Sequence, residues 1–234
     1  MNLIILNKDE IYDGKAEITG RRLKHILTFV KPSIGDSLKT GLLNGLMGEG
    51  VVTDINDQKL ALTLTIQNPP PAPLPLKLIL AMPRPKVLNR VIQHATAMGI
   101  KEIYIIKTWR VEKSYWESPM IGEENILRQM IIGLEQGKDT ILPAIQIRKR
   151  FKPFVEDELP SIVKDTLALV SHPAAENPCP RGADSPVTLA IGPEGGFIPY
   201  EVNALQAIGF KPVSLGDRIL RVETALPFLI GRLF

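Results

Sequence analysis

Residues 68–75 read Asn-Pro-Pro-Pro-Ala-Pro-Leu-Pro, and this stretch limits the fold more than any other. Proline lacks a backbone N–H and holds φ near about −65°, so a run this dense interrupts helix and sheet alike and keeps the chain extended. It reads as a semi-rigid linker. The chain divides there into 1–70 and 71–234, and each piece must bury its own apolar surface.

The two pieces follow different periodicities. Before the linker, turn residues (Asn44-Gly45, Gly48, Asn56-Asp57) separate short β-prone runs, and "VVTDI" at 51–55 and "LALTLTI" at 60–66 alternate with the period of two of half-buried strands. "ITGRRLKHILTFV" at 18–30 is the one helix-like insert. Short strands over roughly 70 residues predict a small β-barrel, a size and shape shared by many RNA-binding modules.

After the linker, "LKLILAM" at 76–82 is apolar without alternation, as in a strand buried on both faces. "KVLNRVIQHATAMG" at 86–99 then spaces Val87, Val91, Ile92, Ala95 and Met98 at helical intervals and ends on Gly99, a C-cap residue. "IKEIYIIKT" at 100–108 is a strand and "EENILRQMIIGLEQG" at 123–137 a helix. "LALVSH" at 167–172, "VTLAI" at 187–191 and "KPVSLG" at 211–216 are further strands, with the helix "PYEVNALQAIG" between the last two. This alternation predicts an α/β fold, a parallel sheet with helices on both faces.

Composition excludes several classes. No apolar run approaches the ~20 residues needed to cross a bilayer, and "MNLIILNKDE" lacks a basic region ahead of its short apolar patch, so neither a membrane span nor a signal peptide is expected. A cytoplasmic location follows as the expectation. The lone Cys179 forbids an internal disulfide, and His25, His94 and His172 are scattered, so no metal site is expected. The net charge is only +3, but it is unevenly spread. Residues 77–152 carry 14 Lys/Arg against 7 Asp/Glu, whereas 1–76 carry 8 against 8 and 153–234 carry 6 against 10. A basic middle segment is either an electrostatic footprint for nucleic acid or a set of solvated helix faces.

In open α/β sheets ligands bind outside the carboxyl ends of strands. Here those ends run into "PAAENPCPRGADSP" after 172, "GPEGGF" after 191 and "DRILRVETA" after 216. Gly192, Gly195, Gly196 and Gly216 remove side chains where the backbone must approach a ligand or where φ is positive; each is also compatible with a plain tight turn. The Gly192-Pro-Glu-Gly-Gly run is not a phosphate-binding fingerprint, and the carboxylate of Glu194 would repel polyphosphate. Such a loop suits a ligand with a positive centre, such as the sulfonium of S-adenosylmethionine.

"IGPEGGF" at 191–197, Glu201, Leu215-Gly216 and "RILRVETA" at 218–225 resemble the signature of the RsmE-type 16S rRNA uridine-N3 methyltransferases of the SPOUT class. "RRLKHILTFVKPSIGDSL" at 21–38, "VIQHATAMGIKEI" at 91–103, "TWRVEKS" at 108–114 and "LEQGKDTILP" at 134–143 follow in the family's order. The resemblance implies a parallel domain with a C-terminal trefoil knot, preceded by a PUA-like barrel that binds RNA. It implies S-adenosylmethionine held by His172, Ile191, Gly192, Pro193, Glu194, Gly195, Gly196, Leu215, Gly216, Ile219, Leu220 and Arg221, with Glu194 open to cofactor, substrate or its own loop. It implies 16S rRNA or the assembled small subunit as substrate, and a homodimer.

Methylating a uridine at N3 requires loss of the imide proton and stabilisation of negative charge on the ring oxygens, a task suited to the always-cationic fork of arginine. Arg221 is the first candidate. Glu223 could orient Arg221 or act as base, and Thr224 could hold the uracil; both residue types also serve at helix N-termini. Arg22, Arg84, Arg110, Lys138 and Arg218 are candidate RNA contacts, with Lys86, Arg90 and the run at 148–152 weaker ones. Where the family reads Glu-Gln-Ser-Gly-Arg, this chain has Glu135-Gln136-Gly137-Lys138-Asp139. Two further readings stand beside the first: a SPOUT enzyme with another RNA target, and an RNA-binding protein without catalysis.

Overall fold

Alternation builds the first unit, residues 2–72 with 130–142, in a computed structural model that describes residues 2–234. Strands β1 (Ile4–Leu6), β2 (Ile11–Tyr12), β3 (Lys15–Ile18), β4 (Ser37–Leu42), β5 (Met47–Ile55) and β6 (Leu60–Asn68) form one mixed sheet in the order β1-β4-β5-β6-β3-β2. Only β1 and β4 pair in parallel. The two longest strands, β5 and β6, contain the alternating runs noted above, and their period of two sends Val52, Leu60 and Leu62 inward. Helix α1 (Gly20–His25) and the wider turn that follows it supply Leu23 and Ile26 to the same core. Gly48 is required where β5 bulges: a Cβ there would collide with the backbone of Thr65 on β6.

The segment 130–142 joins this unit through Leu134, which packs with Leu3 and Ile5. Asn2 and Leu3 donate their N–H groups to the Glu135 carbonyl. Asp139, at the position where the resemblance expects arginine, is buried, and its Oδ1 accepts the Ile141 N–H at 2.9 Å. It builds the turn after the helix and is no surface group. Lys138 beside it is exposed with φ at +55°.

Arg22 is also engaged. Its guanidinium donates to the Ile5 carbonyl at 2.5 Å and pairs with the Glu10 carboxylate. Burial pushes the Glu10 carboxyl up, but bonds from Arg22 and Asn7 and the Arg22 charge outweigh it, and the group sits below the ordinary carboxylate range. A depressed folded pKa stabilises the fold fully above the unfolded value and loses that contribution as pH falls through the folded one. Glu10→Gln is therefore expected to lower Tm at neutral pH, with the gap from wild type closing as thermal scans move to acid. A gap unchanged with pH would show that the ion pair does not stabilise the unit.

The second unit, 73–129 with 143–234, is built on continuous apolar strands. β7 (Leu76–Ala81), β8 (Glu102–Ile106), β9 (Ala144–Arg148), β10 (Leu167–Ser171), β11 (Val187–Ile191) and β12 (Lys211–Val213) are all parallel, in the order β12-β10-β11-β7-β8-β9. With them go α2 (Pro85–Ala97), the short α4 (Phe151–Pro153) and α5 (Leu159–Ile162), α6 (Pro199–Ala207) and α7 (Val222–Leu233), while α3 (Glu123–Gly137) starts in this unit and its residues from 130 on belong to the first. Ile79, Ala81, Tyr104, Ile106, Val170 and Ala190 present one face of the sheet to Phe154, Leu159 and Leu205. The alternate residues Leu78, Leu80, Ile103, Ile105 and Leu189 are buried as well, which is why these strands show no polar alternation. α2 packs against α7. Its buried stripe is Leu88, Val91, Ile92, Ala95 and Thr96, with Leu88 where the sequence pattern placed Val87. Gly99, at φ +83°, ends it as expected. β12 tolerates Pro212 because it is an edge strand. Among the described residues no helix is long and apolar enough to cross a membrane, and no cluster of metal-ligating side chains exists.

Candidate active site

β12, β10 and β11 are consecutive in the sheet and run parallel, so their glycine-bearing ends reach one edge. Their register is level: Ser171 lies opposite both Ile191 and Val213. The loops that leave them enclose a cavity of about 410 Å³, lined by Ser171–Ala174, Ile191–Phe197, Ile219–Val222, Ala225 and Arg110. Its walls thus hold His172, Ile191, Gly192, Pro193, Glu194, Gly195, Gly196, Ile219, Leu220 and Arg221. Leu215 and Gly216 are absent from them. Gly216, at φ +102°, instead turns the chain out of the edge strand. Phe197, Val222 and Ala225 are additional walls; each lies within one of the motifs at 191–197 and 218–225, which is the signal the sequence held for them.

The glycines of the 192–196 loop serve the chain's own packing. The Pro193 carbonyl accepts the Gly196 N–H at 2.8 Å, closing a turn that leaves Gly196 at φ +71°. A Cβ on Gly192 would lie 3.1 Å from the Phe197 nitrogen, and one on Gly195 would lie 3.1 Å from Cδ of Arg110. Arg110 lies along the bare face of Gly195 and donates to its carbonyl. The loop is therefore shaped before any ligand arrives.

Two carboxylates tie this edge together. Glu194 Oε1 accepts the Arg84 N–H at 3.0 Å, joining the loop to the start of α2. This bond to a neighbouring loop's backbone is a use of Glu194 beyond the three the sequence left open. Glu201, only 3 % exposed, accepts the Trp109 N–H at 2.7 Å through Oε1 and the Ile198 N–H at 3.0 Å through Oε2. It caps α6 and at the same time pins the strand-end loop that carries Arg110. His172 Nδ1 accepts the Ala174 N–H at 3.2 Å, folding that ring onto its own loop.

The catalytic candidates separate. Arg221 is the residue before α7, its carbonyl accepting the Thr224 and Ala225 N–H groups at 2.9 and 2.8 Å, and it lines the cavity. Glu223 does not line it. Its partner is Arg90 of α2 at 3.8 Å, not Arg221. Thr224 is exposed and likewise outside the wall. Among the candidate RNA contacts, Arg84, Arg110 and Arg218 are exposed in the second unit. Lys138 is exposed in the first unit, where Arg22 is committed to Glu10. Arg148, first of the basic run, is bound to Glu158 and Gln146.

The cavity fits a nucleoside-sized ligand. Its volume lies in the usual range for small-molecule sites, and Ile191, Phe197, Leu220, Val222 and Ala225 offer an apolar slot. Among the described residues, the backbone of 217–220 makes no hydrogen bond to the rest of the chain, so its N–H and C=O groups remain available to a ligand's polar edge.

A family model described as an RNA methyltransferase domain matches residues 70–233. A protein of Treponema pallidum (strain Nichols) named ribosomal RNA small subunit methyltransferase E is 29% identical over 96% of this chain and 87% of its own length. Ribosomal RNA small subunit methyltransferase E 1 of Borreliella burgdorferi (strain B31) is 27% identical over 96% of this chain and 94% of its own. Among solved structures, a ribosomal RNA small subunit methyltransferase E from Neisseria gonorrhoeae bound to S-adenosyl methionine superposes with a TM-score of 0.73 at 17% identity. That likeness covers 98% of this chain and 95% of the other, and it shows a shared fold.

Proposed function

The chain belongs to the RNA methyltransferase family, and from that membership we propose that it methylates N3 of a uridine in 16S rRNA, with S-adenosylmethionine as donor. The relatives' name supplies the small-subunit RNA, and the resemblance read from 191–225 supplies the uridine. The observation that carries the site is the cavity at the ends of β10, β11 and β12, with Arg221 on its wall.

Bound there, S-adenosylmethionine supplies an electrophilic methyl carbon. The walls formed by Ile191–Gly196 and Ile219–Arg221 would hold its adenosine and keep water from the reacting atoms. Arg221 would face the uracil and stabilise the negative charge that its ring oxygens gain as N3 gives its proton to solvent before the cofactor is bound against it. Arg110, fixed against Gly195, would anchor phosphate or base at the mouth. Glu223, paired with Arg90, is read as holding α2 to α7 rather than as a base.

The finer architecture belongs to the same reading. We take the C-terminal segment for a trefoil knot, supported by the bonds from Gly182 N–H to the Arg232 carbonyl, from Arg232 to the Cys179 carbonyl at 2.7 Å, and from Cys179 N–H to Ser214. Residues 1–70 are read as a PUA-like RNA-binding domain and 71–234 as the methyltransferase domain. Homodimerisation is supported by the exposed Phe228 on α7 and Phe234 just after it. A cytoplasmic location goes with a ribosomal substrate.

Labelled methyl transfer to small subunits and to free 16S rRNA lacking the modification tests this reading. The expected product is 3-methyluridine. A different methylated nucleoside would move the chain to another RNA target, and cofactor binding without transfer to either RNA would overturn the substrate.

A further inference from the structure

Trp109 is 81% exposed, although an indole is among the largest apolar surfaces a protein can bury. Its backbone is held firmly. The Trp109 N–H is bonded at 2.7 Å to the buried Glu201 carboxylate, whose other oxygen caps α6. On the other side, its chain neighbour Arg110 is fixed to Gly195, in the wall of the cavity. One restraint thus holds the Trp109 main chain and another the side chain of its neighbour, and the ring is left exposed. Thr108, just before it, is buried, and Val111, just after Arg110, is buried too, so the indole is an isolated projection rather than part of an exposed core patch. Arg84 and Arg110, both exposed, provide cationic charge along the same edge.

We propose that Trp109 is a stacking platform for a nucleobase of single-stranded RNA, holding the base beside the one delivered to the cavity. This rests on the reading of that cavity as a methyl-transfer site. A flat aromatic on a held backbone, next to arginines, is the chemistry that recognises unpaired bases, because every base has a π face and stacking tolerates sequence. An N3 position is hidden in any Watson–Crick pair, so the substrate base must be unpaired and pulled from its stack. A surface that replaces the lost stacking partner of the flanking base lowers the cost of that extrusion. Preorganisation by Glu201 means little backbone order is lost when the base arrives.

The test uses the full chain carrying Trp116→Phe, which leaves Trp109 as the only indole, since the chain has two tryptophans. Titration with a uridine-containing single-stranded oligoribonucleotide is expected to quench the Trp109 fluorescence. In the otherwise wild-type chain, Trp109→Ala is expected to raise KM for RNA roughly 5- to 150-fold, the range of aromatic–base stacking. Trp109→Phe is expected to restore most of that loss and Trp109→Leu little of it, with S-adenosylmethionine affinity unchanged in all three. Equal behaviour of the Phe and Leu variants, or RNA binding without quenching, would overturn the proposal. The two readings fail separately: absence of methyl transfer by the wild-type chain counts against the proposed reaction, whereas fluorescence quenching needs no turnover.

Discussion

Arg221→Ala is expected to lower kcat for methyl transfer roughly 10²- to 10³-fold, the effect of removing one donor aimed at developing negative charge. The structure makes this substitution unusually clean. Arg221 precedes α7 and holds the helix start through its own carbonyl, which alanine retains, while its side chain makes no capping bond. Among the described residues the guanidinium has no partner: the neighbouring carboxylate, Glu223, is taken by Arg90. Tm is therefore expected to stay within about 0.5 kcal/mol of wild type in equivalent stability, as for surface changes away from special features. Arg221→Lys keeps the charge but not the planar fork, and partial recovery is the expected result. Single-turnover transfer with saturating cofactor, alongside thermal melts, separates chemistry from binding and folding. Unchanged kcat in the alanine variant would remove Arg221 from the mechanism and pass the role to Arg218.

Much of this architecture was legible because it rests on backbone rules. Continuous apolar runs such as 76–82 and 187–191 give strands buried on both faces, and the glycine at 99 ends the helix before it. The clustering of three loops followed from strand ends that turned out to be neighbours, a matter of sheet order that no single run encodes. Side-chain partners were the unreadable part. Nothing in the spacing of Glu10 and Arg22, or of Arg90 and Glu223, announces an ion pair, since each is made by folding distant segments together. Asp139 shows the same limit from the other side: standing where the resemblance expects arginine, it is a buried cap for its own turn. β9 escaped notice because its apolar positions, Ile145 and Ile147, alternate with Gln146 and Arg148 at the rim of the sheet and run directly into the basic stretch.

Glu201→Ala is expected to be the most destabilising single change at this edge. The carboxylate is buried and, among the described residues, forms no ion pair; it is held by two backbone N–H groups, those of Trp109 and Ile198, and by the N-terminus of α6. Alanine leaves both donors without an acceptor. A hydrogen bond to a charged group contributes about 1.5–3 kcal/mol, so a loss of roughly 3–5 kcal/mol is expected. At about 2–4 °C per kcal/mol for a domain of this size, Tm should fall by roughly 6–20 °C. Glu201→Gln keeps the volume and one acceptor, but sets an amide N–H against a backbone donor, so it should recover only part of the loss. The function follows the geometry, because the Trp109–Arg110 segment is positioned by this carboxylate. The glutamine variant, assayed well below its Tm, should therefore show a raised KM for RNA with a smaller change in cofactor affinity. A Tm shift under about 2 °C in the alanine variant would mean that water replaces the carboxylate, and that the loop is held by Arg110 and Gly195 alone.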